Sequence, residues 1–123
     1  MPIVNFRTLI KSFYYACRGI KYALQHEQNF RLQVIIGLIV CLFMLVFRVT
    51  RNEAIILFLL IFLVLILELI NTTFEKMVDI LKPRIHHYVA VIKDFMAAMV
   101  FLASLGALVI ALIIFLPYIL RLF

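Results

Sequence analysis

The sequence predicts an all-α membrane protein, with one amphipathic surface helix followed by three transmembrane helices. Three observations carry this. Apolar residues make up 67% of the 123 positions, against about 45–50% in a soluble domain. The mean hydropathy is +1.21, and a soluble fold this small cannot hide that much apolar surface. The apolar residues also fall into three long runs separated by short polar turns, as spanning helices require.

Residues 5–28 read as the surface helix. Phe6, Leu9, Ile10, Phe13, Cys17, Ile20 and Leu24 recur at helical steps, with Arg7, Lys11, Arg18 and Lys21 on an adjacent stripe. An apolar face edged by cations suits the headgroup layer of a bilayer. The segment serves either as a plain anchor or as a basic roof over an anionic substrate. A polar knot follows, His26 to Asn29 and Arg31, in which Glu27 and Arg31 are spaced for an i, i+4 bridge.

Residues 32–47 form the first span, short but flanked by Arg31 and Arg48, which can snorkel. The turn RVTRNE leads into the second span, residues 54–81, which Pro83 stops. The third span, residues 93–120, is uncharged after Asp94 and carries Ala97, Ala98, Ala103, Ser104, Gly106 and Ala107, which permit close helix approach. The whole chain reads as one membrane-embedded domain, and no secretory leader is expected in it.

The net charge is +6. The basic residues are scattered at span boundaries, which reports topology and headgroup contact; nucleic-acid binding is not expected. They concentrate before residue 32 and from Lys76 to Lys93, so the N-terminus and second loop are assigned to the cytoplasm of a bacterial cell. Cys17 and Cys41 have no metal-ligand spacing and read as small apolar fillers.

The chemistry centres on ELINTTFEKMVD. Glu68, Asn71, Glu75 and Asp79 sit at i, i+3, i+7 and i+11, one narrow stripe of a helix. Carboxylates at the end of an apolar run are costly unless paired, hydrated or metal-bound. Glu27 and Glu75 come from different helices to one interface, and carboxylate oxygens with open water positions suit Mg²⁺ carrying a phosphate. Glu68 lies about 10 Å deeper than Glu75, where a lipid hydroxyl would sit. Burial disfavours its charge and readies it for general-base work, with Asn71 one turn away to orient it. Lys93 can steady phosphate charge, and Asp94 can act at the helix start or assist the metal. ATP is available on the cytosolic side. There is no glycine-rich phosphate loop, so a nucleotide must be held by metal, cations and helix ends. His86 and His87 are adjacent and cannot share one face; a loop histidine near phosphate is the better reading. The competing structural reading is an interhelical network, with Glu68 bonded to Asn71, and Glu75 and Asp79 paired to Lys76, Lys82 or Lys93.

ELINTTFEKMVD, the later KDFMAAMV and the upstream Glu27-Gln28-Asn29-Phe30-Arg31 together resemble the small integral-membrane prokaryotic diacylglycerol kinase family, which includes undecaprenol kinases. The resemblance covers essentially the whole chain. It implies that Glu68 is the proton acceptor and that Glu27 and Glu75 are metal ligands. Asn71, Asp79, Lys93 and Asp94 match polar site residues. Arg84-Ile85-His86 matches a nucleotide-contacting segment, and Tyr15 another such contact. It also implies ATP and Mg²⁺ as cosubstrate and cofactor, and a homotrimeric bundle with sites at subunit boundaries. Thr73 and Phe74 replace a small-aliphatic pair, which alters packing. Gln33 stands where the diacylglycerol branch usually has an acid, and Ala90 and Val91 stand where a basic residue is often found. FRVTRNE and IIFLPYI look more like the undecaprenol branch. The expected reaction is conversion of undecaprenol to undecaprenyl phosphate. The alternatives are diacylglycerol conversion to phosphatidic acid, or a non-catalytic membrane assembly protein of the same fold.

Overall fold

The structure, a computed structural model, describes residues 3–123; for residues 82–86 it describes the backbone alone. Three helical stretches account for nearly all of it: α1 (Phe6–His26), α2 (Gln28–Phe47) and α3 (Arg51–Leu120).

The α1 helix starts where Asn5 turns its side-chain oxygen onto the amides of Arg7 (3.0 Å) and Thr8 (3.4 Å), quenching two unpaired donors of the first turn. Among the described residues its apolar face is largely unpartnered, and Ala23 is the one buried residue in it. That is the layout of a helix whose second partner is lipid.

One extended residue, Glu27 (φ −113°, ψ 107°), ends α1 and opens α2. The sequence offered a Glu27–Arg31 bridge. Arg31 instead folds back and donates from Nη1 to the carbonyls of Leu24 (3.1 Å) and Gln25 (3.0 Å). These belong to the last turn of α1, which has no helical donor for them. The guanidinium therefore caps α1 and fixes its angle to α2, leaving the Glu27 carboxylate for other partners.

Arg48 takes the left-handed conformation (φ 52°) and ends α2. Thr50 and Glu53 then form a reciprocal capping box, with Glu53 N–H donating to Thr50 Oγ1 (3.3 Å) and Thr50 N–H to Glu53 Oε1 (3.0 Å). This cap carries the helix start to Arg51, ahead of the apolar run itself.

The run α3 folds back on itself. A straight helix of its length would part Glu53 from Tyr118 by roughly 100 Å. Yet the Tyr118 hydroxyl donates to Glu53 Oε1, and Lys93 Nζ lies 2.8 Å from Asp79 Oδ1. The reversal therefore falls between Asp79 and Lys93, around the stretch where the sequence put a loop, although helical backbone is recorded through it. Two antiparallel arms result, Arg51–Leu81 and His87–Leu120, and with α2 they are three helices long and apolar enough to cross a membrane.

Packing is densest near the Arg48 turn. Met44, Leu57, Ile114 and Phe115 are buried together, and Phe43, Phe47, Phe115 and Tyr118 form a chain of rings 5.8–6.1 Å apart. Gly37 brings α2 close to the first arm: a Cβ there would sit 3.1 Å from Ile61 Cγ2. Most large apolar side chains point outward, the arrangement a lipid solvent favours.

Candidate active site

The acidic stripe lies on the first arm, facing into the bundle. Glu68 is 3% exposed and Asn71 7% exposed, the two buried polar side chains among the described residues. Nothing in their own helix forces a carboxylate inside. The helix is apolar nearly all round there, so its rotation is set by packing of Leu57, Val64 and Val78, buried residues in step with Glu68 and Asn71 at intervals of three, four and seven. Burying that face carries the polar groups in with it.

Asn71 Nδ2 donates to Glu75 Oε1 (3.4 Å), so it ties to the carboxylate above it and not to Glu68. Its own Oδ1 is buried without a hydrogen-bond partner, which costs free energy unless a donor or cation arrives. Thr72 returns its hydroxyl to the carbonyl of Glu68 (3.0 Å) and Thr73 to that of Leu69 (2.8 Å), keeping both hydroxyls local.

Glu27 arrives from the α1–α2 break. Its carboxylate and that of Glu75 are the two acidic groups whose charge reaches Glu68. Glu27 is half-buried, with Lys76 Nζ 3.9 Å from its Oε1. Lys76 is thus set against Glu27, and Lys93, from the second arm, against Asp79. The two lysines divide the pairings that the network reading offered: Lys93 takes Asp79, while Glu75 bonds to Asn71. Asp94 is exposed beside Lys93. Tyr15 is also exposed and lines a cleft of about 730 Å³ between α1 and the first arm, together with Gly19, Tyr22, Thr72 and Lys76. The side chains of Arg84, Ile85 and His86 lie outside the described residues.

The described residues hold no group of three His, Cys, Asp or Glu side chains set to grip a metal on their own. The donor set still suits a hard divalent cation. Two half-buried carboxylates and the unpartnered carbonyl oxygen of Asn71 are all oxygen donors. Mg²⁺ characteristically takes one or two carboxylates and fills its octahedron with water and phosphate oxygens.

Three features were not assigned from spacing. Lys76 faces Glu27, Arg31 acts as a cap, and Gln33 Nε2 donates to Ser104 Oγ across the bundle at 3.5 Å. The last joins residues far apart in the chain, and periodicity within one helix carries no signal for such a pair.

Comparison with known proteins gives a consistent family. The family model for prokaryotic diacylglycerol kinase matches residues 14–115. A diacylglycerol kinase of Synechocystis sp. is 35% identical over 115 residues, covering 93% of this chain and 66% of that relative, just under two thirds of its length. An undecaprenol kinase of Bacillus subtilis is 34% identical over 107 residues, 87% of either chain. No solved structure was found to match.

Proposed function

The chain belongs to the prokaryotic diacylglycerol kinase family, and on that premise we propose that it phosphorylates a membrane lipid alcohol with ATP. The observation that carries the reading is a carboxylate, Glu68, buried beside Asn71 on an otherwise apolar arm, with Glu75 and Glu27 within electrostatic reach. An intramembrane acid kept at this cost points to chemistry.

In the proposed reaction the alcohol oxygen attacks the γ-phosphorus of ATP. The new O–P bond forms as the bond from phosphorus to the ADP oxygen breaks, and the hydroxyl proton passes to Glu68. Burial suits Glu68 to this, because a neutral carboxyl is the form an apolar wall tolerates. Glu27 and Glu75 are the residues to hold Mg²⁺, with Asn71 Oδ1 available as a further oxygen donor. When bound, the metal neutralises phosphate charge. Lys93, held by Asp79 and flanked by Asp94, supplies the cation for the transferring group. Tyr15 and the Arg84-Ile85-His86 stretch are the proposed nucleotide contacts. The acidic end of the bundle then faces the cytoplasm, where ATP is, and a homotrimer completes a site that three spans leave open on one side.

Undecaprenol is the favoured acceptor, giving undecaprenyl phosphate; diacylglycerol, giving phosphatidic acid, is the second reading. The FRVTRNE turn and the IIFLPYI ending support the former. Purified protein in lipid with ³²P-labelled ATP is expected to label undecaprenol faster than diacylglycerol at equal mole fraction. Faster labelling of diacylglycerol reverses the assignment. No label in either lipid leaves a non-catalytic assembly protein as the better description.

A further inference from the structure

A second cavity lies inside the membrane bundle, and no step of the proposed chemistry uses it. It holds about 300 Å³ between α2 and the two arms of α3 and opens outward past Ile36 and Leu108, at the lower end of small-molecule sites. Its wall is hydrocarbon apart from Gln33 and Ser104, and these two are already bonded to each other. Below those two residues the wall offers nothing to hold an ordered water.

Its position is fixed by the helix register. Val64 on its wall is one turn from Glu68, and Leu57 at its far end is about 16 Å from Glu68 along the same helix. The pairs Asp79–Lys93 and Glu53–Tyr118 set the two arms antiparallel, which brings Ser104 to the depth of Glu68. The Gln33–Ser104 pair is therefore a polar lip at the level of the reacting group, with an apolar shaft leading away from it toward the Arg48 turn. Ala107 and Ala111 leave the shaft open on one side, and Gly37 leaves it open on another.

We propose that this cavity receives the first stretch of the acceptor's hydrocarbon chain, so that Gly37, Ala107 and Ala111 set which lipid alcohols reach Glu68. The inference rests on the lipid-kinase reading and deepens it. A hydroxyl delivered to Glu68 must carry its tail somewhere, and among the described residues this shaft starts at that depth and runs down the bundle. The lip pairs one Gln33 amide hydrogen with Ser104 Oγ at 3.5 Å, and everything below it on the wall is hydrocarbon. A chain that is hydrocarbon from its first carbons, as in a polyprenol, matches that wall along its whole length.

The test has two arms. Ala107→Leu fills the shaft, and the KM for undecaprenol is expected to rise about tenfold while the KM for ATP stays put. An unchanged acceptor KM overturns the proposal. The second arm uses the unaltered protein. A polyprenol and a diacylglycerol, each with a diazirine near the reacting end, are photolysed in the bilayer and the labelled peptides sequenced. Labelling at Val40 or Leu57 supports the cavity, and the probe that labels them identifies the chain type. Labelling confined to outward-facing residues such as Leu59 or Leu112 overturns it. A wild-type chain that transfers no phosphate sinks the kinase reading alone, and the photolabelling still decides the cavity.

Discussion

At the end of the bundle closed by Arg48–Thr50, rings stack on rings, the capping box satisfies its own donors, and Tyr118 of the second arm reaches Glu53 of the first. At the opposite end, Glu27, Glu75 and Asp79 gather with two lysines, Asn71 keeps a buried oxygen unpartnered, and a wide cleft parts α1 from the first arm. Both ends contain a glutamate in the first arm. Glu53 is half-buried and doubly bonded; Glu68 is buried at 3% exposure. The contrast teaches where this chain spends its stability: the turn end holds the spans together, and the acidic end tolerates unsatisfied groups that a substrate can satisfy.

The sharpest way to break the comparison is Glu68→Gln. Phosphoryl transfer is expected to fall about 10²–10⁴-fold, while thermal stability in detergent holds or rises because a costly buried acid is gone. Full activity in this variant removes the assigned proton acceptor. Next is Glu75→Ala, expected to raise the Mg²⁺ concentration for half-maximal rate about 10–100-fold and to release the Asn71 amide; an unmoved metal titration separates Glu75 from the metal. At the turn end the signs reverse. Phe115→Ala is expected to cost about 2 kcal/mol, less than a ring deletion in a soluble core, because the unfolded reference in a bilayer is also apolar. Its kcat stays near wild type, and a collapse of kcat at intact fold would erase the division between the ends. The smallest effect is Tyr118→Phe, about 0.6 kcal/mol for one interhelical hydrogen bond in lipid, read as a small drop in melting temperature with activity unchanged.

Much of this was legible along the chain. The acidic stripe at Glu68, Asn71, Glu75 and Asp79 lies within one helix, so spacing alone placed it on one face. The three spans were legible because lipid contact demands long uncharged runs. Other features were not. The Glu27–Arg31 spacing offered a bridge, but across the break between α1 and α2 the Arg31 guanidinium meets the carbonyls of Leu24 and Gln25, a partner that spacing does not reveal. The partners of Lys76 and Lys93 were ambiguous because several acids lay within reach of each lysine.

Residues local to one helix thus decided what could be known early: that the chain is helical and membrane-embedded, that its second span carries an acidic stripe, and which of those residues share a face. Tertiary structure alone decided that α3 doubles back, that Asn71 bonds to Glu75 and strands its own oxygen, that Gln33 meets Ser104, and that an apolar cavity lies between α2 and the two arms of α3. The reason is physical. Hydrogen bonding and periodicity act within a few residues and are written into the chain, whereas the pairing of distant side chains and the voids left between helices follow from how three apolar surfaces fit together.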